Sequence, residues 1–143
     1  MSYGILLGED AAVASWAFAK HGYVPTKFDL AVGVVNEFGH IQGAALFQGH
    51  NGPNVELSYY GRRTLSPGIA RALARVAQSM GVARVTVMTS KKNKRLVRGL
   101  ERMGFVRETT CRRYYGTEDT ERNAAARLVL FRERLDQIAR REV

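Results

Sequence analysis

Between Asn54 and Phe105 the chain reads strand, glycine-bearing loop, helix, strand, helix, and this order restricts what the remainder can build. Val55 to Tyr60 is a β-rich run that ends at Gly61. From Pro67 or Gly68 to Met80, the apolar residues Ile69, Leu73, Val76 and Met80 recur at helical spacing, while Arg71, Arg75 and Gln78 face elsewhere. Gly81 supplies the stop. Val82 to Met88 alternates as a strand that Thr89-Ser90 ends. Asn93 to Met103 spaces Leu96, Leu100 and Met103 inward and Arg95, Arg98 and Arg102 outward, with Gly104 as the stop. A strand–helix–strand unit of this length predicts a parallel pairing of the Val55 and Val82 strands. The loop Arg62–Gly68 opens directly onto a helix. Free backbone N–H groups and the positive helix end then point the same way, which makes an anion site.

The flanking sequence supplies antiparallel partners. Tyr3 to Leu7 reads as a short strand, and Asp10 as the cap of a helix presenting Val13, Trp16, Ala17 and Lys20 on one face up to His21-Gly22. After a connector from Gly22 to Lys27, the runs Leu30–Val35, Ile41–Gln48 and Val55–Tyr60 are separated by the turns Asn36–Gly39 and Gly49–Pro53, a meander. Phe105 to Tyr115 reads as one long strand, Gly116 to Asn123 as a loop, Arg127 to Arg132 as a last strand, and Leu135 with Ile138 as the inner face of a short helix. No repeat or linker interrupts the pattern, so residues 1–143 are read as a single domain.

The chain carries 22 basic against 13 acidic side chains, net +9, which favours anionic partners: polyphosphate cofactors, nucleic acid or acidic substrates. No apolar run reaches membrane-span length and no secretion signal is visible, so no membrane partner and a cytoplasmic location are expected. His21, His40, His50 and the single cysteine, Cys111, lack metal-ligand spacing, so no metal is expected.

Two local motifs carry a family resemblance. Leu65-Ser66-Pro67-Gly68-Ile69-Ala70 is similar to the acyl-CoA loop of the GNAT superfamily of N-acetyltransferases: Gly68 and Ala70 match, and Leu65 replaces a polar first residue. Asn93 followed by Gly104-Phe105 matches the second motif in order and separation, with Leu100 where a tyrosine is common. From about Leu30 to Arg132 the chain resembles this superfamily. The resemblance implies an α+β fold: a central mixed, mostly antiparallel sheet of six to seven strands, with a parallel strand pair at the cofactor site and flanking helices.

It also implies an activity, transfer of acetyl from acetyl-CoA to a primary amine by direct attack. The cofactor's pyrophosphate would lie against Ser66, Gly68, Ile69 and Ala70, with Arg62, Arg63 and Leu65 at the loop's mouth. Backbone groups of Ser58, Tyr59 and Tyr60 would hold the pantetheine amides, and Asn93 the cofactor arm or simply its own helix. Glu56, the one acidic side chain of its strand, is the candidate base; a solvated or ion-paired strand residue is the alternative reading. Tyr115, with Tyr114 beside it, can replace the acid missing at Leu100, or can merely cover the core. The acceptor is a small-molecule or peptide amine with no sequence signature, and a homodimer is compatible with the family. The competing class is a GNAT-like module that binds acyl-CoA, nucleic acid or protein without catalysis. The Lys91–Arg95 basic run makes nucleic acid the best such partner, though the weaker reading overall.

Overall fold

The computed structural model describes residues 3–22, 27–61 and 66–140. In chain order the elements are β1 (Gly4–Leu6), α1 (Asp10–His21), β2 (Leu30–Val35), β3 (Ile41–Gln48), β4 (Asn54–Tyr60), α2 (Pro67–Ser79), β5 (Arg84–Ser90), α3 (Lys94–Met103), β6 (Val106–Cys111), a 3-10 turn (Glu121–Asn123), β7 (Ala125–Phe131) and α4 (Arg132–Arg140). The strands form one seven-stranded sheet in the order β1-β2-β3-β4-β5-β7-β6. Every neighbouring pair is antiparallel except β4 and β5, which run parallel. The expected α+β architecture, its meander and its parallel pair are all present.

Alternation along β4 sorts its side chains onto two faces. Ser58 and Tyr60 lie opposite Leu46 and Ala44 of β3, on the face where Val13 and Ala17 of α1 pack. Val55, Leu57 and Tyr59 join the larger core on the other face, with Leu73 and Ala77 of α2, Val97 and Leu100 of α3, and Leu135 and Ile138 of α4.

Several local expectations change. Glu9, not Asp10, stands at the N-cap of α1, and the Asp10 carboxylate instead accepts the Ala31 N–H at 2.8 Å, fastening α1 to β2. Leu96 is not the inward residue of α3: it is 38% exposed while Val97 is 2% exposed. The long strand expected to Tyr115 stops at Cys111, because Arg113 turns into the left-handed region at φ 56° and takes Tyr114 and Tyr115 out of the sheet. β5 extends to Ser90, beyond the expected stop at Met88, because Thr89 and Ser90 pair with Ala126 and Ala125. β7 correspondingly begins at Ala125, two residues before the expected start.

On the face of the sheet opposite α2, Glu108 of β6 receives both terminal nitrogens of Arg84, at 2.7 and 2.9 Å, and lies 3.3 Å from Arg127 Nε. The hydrogen bond from Arg84 holds the Glu108 carboxyl below its ordinary value of 4.5, and the positive charges of Arg84 and Arg127 act in the same direction. A carboxyl with a lowered folded-state pKa stabilises fully above its unfolded value and ceases to as pH falls through the folded one. Glu108→Gln is therefore expected to cost stability at pH 6 and progressively less as pH drops below about 4.5. Urea midpoints of both proteins across that range check it; a gap independent of pH would rule out the ionic origin.

Candidate functional site

β4 and β5 are paired only at Asn54↔Arg84, Val55↔Val85 and Glu56↔Thr86. Both strands continue, β4 to Tyr60 and β5 to Ser90, but the lateral pairing does not. The sheet therefore opens into a slot at its centre. The slot widens into a cavity of about 720 Å³, the size of pockets that hold cofactor-sized ligands. Leu57 and Tyr59 line it from the α2 face, Glu56, Ser58 and Tyr60 from the α1 face, so the cavity is bounded from both sides of the sheet.

On the α2 face the walls are two helices. Ala70, Leu73, Ala74 and Ala77 of α2 form one wall, and Leu96, Leu100 and Met103 of α3 form the other. The alanines matter physically: without long side chains at 70, 74 and 77, α2 cannot fill the space over β5. Leu100 does face the cavity, at the position where the family resemblance places a tyrosine.

At the head of α2, Ser66 caps the helix: its Oγ accepts the Ile69 N–H at 3.2 Å and its carbonyl accepts the Ala70 N–H at 2.8 Å. Pro67 has no N–H, so among the donors named for the loop, Gly68 retains one that no described residue accepts. Arg71, one turn into α2, is buried at 9% exposure and forms no ion pair among the described residues. A buried cation in the first turn opposes the helix dipole, which an anion at the same place would offset. Arg62, Arg63 and Leu65 lie outside the described residues.

Asn93 is the N-cap of α3: its Oδ1 accepts the Leu96 N–H at 3.3 Å, and it does not line the cavity. The capping half of its expected role is realised. Glu56 lines the cavity, half-buried, and forms no ion pair among the described residues. The nearby arginine at β5, Arg84, is committed to Glu108 instead. Ser58 Oγ accepts a hydrogen bond from Gln48 Nε2 at 3.0 Å, across the β3–β4 ladder.

Four rings gather at the mouth. Tyr114 and Tyr115 pack edge to face at 4.9 Å, and His21 lies 5.3 Å from Tyr60. All four line the cavity. Burial raises the Tyr115 phenol above its ordinary value of 10.0, and Tyr114, Cys111 and Tyr60 push it the same way. The phenol therefore keeps its proton through the neutral range. In the sequence His21 reads as a surface residue at the end of its helix; only the fold brings it to Tyr60.

No family model matches the sequence, and no curated protein matches it. Solved structures do. The fold is similar to that of the ribosomal-protein-S18-alanine N-acetyltransferase from Escherichia coli, at 18% identity over 91% of this chain and 94% of that one, with a TM-score of 0.71. Mutant forms of a spermidine/spermine N-acetyltransferase from Vibrio cholerae superpose with a TM-score of 0.70 at 12% identity, over 95% of this chain and 98% of theirs. A GCN5-related N-acetyltransferase from Brucella melitensis gives 0.63 at 19% identity, over 90% of this chain and 61% of that one. With its split parallel strand pair, its meander and its helix walls, the chain has the fold of the GNAT N-acetyltransferases.

Proposed function

We propose that this protein is an acyl-CoA-dependent N-acyltransferase that moves an acetyl group from acetyl-CoA to a primary amine. The observation that carries the reading is the slot: a parallel strand pair that parts after three residue pairs, between two helix walls, with a helix N-terminus at its open end. The pantetheine arm has the amides to bond with backbone groups of β4 in the stretch Ser58, Tyr59 and Tyr60, where alternate residues point away from β3 toward the slot. The pyrophosphate has the Gly68 N–H and the buried Arg71 charge, a charge-assisted pairing stronger than a neutral one.

The two faces divide the labour. The thioester reaches the slot from the α2 face, and the amine from the α1 face, where Glu56 stands. The neutral amine nitrogen attacks the thioester carbonyl carbon. A C–N bond forms, the C–S bond breaks, Glu56 takes the proton from nitrogen, and Tyr115 supplies one to the departing thiolate. The β4 N–H groups stabilise the oxyanion between those events. The aromatic mouth suits the apolar body of an amine, and its rings attract the ammonium form before it is deprotonated.

Binding tests the reading directly. At about 100-fold excess over Kd, acetyl-CoA stabilises the folded state by about 2.7 kcal/mol, several degrees in melting temperature. Gly68→Ala is expected to erase most of that shift while leaving the unliganded melting temperature unchanged or slightly higher. The nearest heavy atoms to its new Cβ would be 3.9 Å away, and alanine is the better helix residue. No shift with millimolar acetyl-CoA would defeat the proposal; a shift without CoA release to any amine would leave a binding module.

A further inference from the structure

The cavity does not end at the thioester position. Its lining continues past Glu56 to Ala77, Phe105, Leu130, Leu135 and Ile138, residues between 2% and 8% exposed that also belong to the main apolar core. The depth follows from the walls. Ala70 to Ala77 on α2 and Leu96 to Met103 on α3 each span eight residues, roughly 10 Å of helix from first to last. The inner end is level with Val85, where β4 and β5 are already paired, so nothing passes through the sheet there. α4 closes it from outside the sheet: Leu135 and Ile138 face inward, and Arg75 Nε and Gln78 Nε2 of α2 bond the Ala139 carbonyl and the Asp136 carboxylate at 3.0 and 2.8 Å. Among the described residues, no charged or hydrogen-bonding side chain lines this inner end.

We propose that this blind apolar chamber beneath α4 receives the tail of an acyl group longer than acetyl, so that the protein takes medium-chain acyl-CoA as a donor beside acetyl-CoA and binds it more tightly. The inference rests on the N-acyltransferase reading for the direction in which the thioester points. An acetyl group's single methyl leaves the chamber empty of partner atoms, and an apolar void of this kind takes up an apolar ligand rather than water. Each further methylene buried there strengthens binding about threefold to fourfold. Hexanoyl-CoA, with four more methylenes than acetyl-CoA, is thus expected to bind at least about tenfold more tightly, and to be the better donor at limiting concentration. The apolar end also sets a limit: an acyl chain ending in a carboxylate, such as succinyl, gains nothing, because a charge there has no partner.

Calorimetric titration of the wild-type protein with CoA, acetyl-CoA, butanoyl-CoA and hexanoyl-CoA tests this without any variant. Affinity rising along the series supports the chamber. Ala77→Leu, which narrows it from the α2 side, should then remove the rise, read as the ratio of hexanoyl-CoA to acetyl-CoA affinity within the variant itself. Affinity that is flat or falls with chain length overturns the inference while CoA binding itself stands. A rise that survives Ala77→Leu also overturns it, since the tail then lies elsewhere. If neither CoA nor acetyl-CoA binds, the N-acyltransferase reading fails first and takes this one with it.

Discussion

Glu56→Gln is expected to lower turnover of acetyl-CoA with an amine by about 10²- to 10⁴-fold, the range that removing a general base produces. The substitution keeps the size of the side chain and its place opposite Gln48 and Thr86. Because Glu56 lies on the α1 face and the cofactor walls lie on the other, the Kd for acetyl-CoA should stay within about twofold of wild type. The loss should also shrink as pH rises. An alkylamine with a pKa near that of lysine, about 10.4, sheds its own proton increasingly at high pH, and the base becomes dispensable. Steady-state turnover from pH 7 to pH 10, beside titration of acetyl-CoA into both proteins, reads all three quantities. Turnover within about threefold of wild type at neutral pH would remove Glu56 from the mechanism. A matching loss of cofactor affinity would make it a binding residue.

The second large effect belongs to Gly104, the C-cap of α3. It adopts φ 111°, and a Cβ there would lie 2.5 Å from Arg134 Cγ and 2.6 Å from its Nε. Arg134 cannot simply swing away without loss, because its Nε donates to the Met103 carbonyl at 2.8 Å, at the negative end of α3. Gly104→Ala therefore combines left-handed backbone strain of about 1 kcal/mol with loss of a charge-assisted bond of about 1.5 kcal/mol. We expect a total near 2–3 kcal/mol, and a melting temperature lower by about 10 °C. Arg134→Ala should cost less alone and should relieve part of the Gly104→Ala penalty when combined, since the steric partner is gone. A Gly104→Ala melting temperature within 2 °C of wild type, a gap too small for either term, would show that the turn relaxes freely. Phe105 follows this glycine into the cavity lining, so a displaced turn should also disturb acyl-CoA binding.

The parts of this architecture that sequence displays are those fixed by neighbours along the chain. The meander follows from three β-rich runs and two tight turns. The parallel pair follows from a strand–helix–strand unit, whatever the rest of the chain does. Asn93 caps its helix because asparagine offers a short acceptor at the right reach. What sequence withholds is set by distant partners. Ala125 and Ala126 have little strand preference of their own, and they enter β7 because Ser90 and Thr89 stand opposite them. The insertion of β7 between β5 and β6 is a choice of neighbour, not of local conformation. Leu96 and Val97 are both apolar, and only the line of approach of β7 and α4 decides that Val97 is the buried one. The chamber is hidden for the same reason: Leu130, Leu135 and Ile138 carry the pattern of ordinary core residues, and only the fold sets the short alanine side chains of α2 beside them.

Lateral joining between the two halves of the sheet, β1 to β4 on one side and β5, β7 and β6 on the other, amounts to three residue pairs among the described residues. In mechanical terms this seam resists bending and torsion less than the β3–β4 and β5–β7 joins on either side of it, which have five and seven residue pairs. A molecule whose amides bond along β4 while its body braces α2 against α3 acts as a strut across that seam. The donor would then stiffen the half carrying Glu56 against the half carrying β5 as it docks, so that the acceptor meets a rigid platform only after the donor is seated.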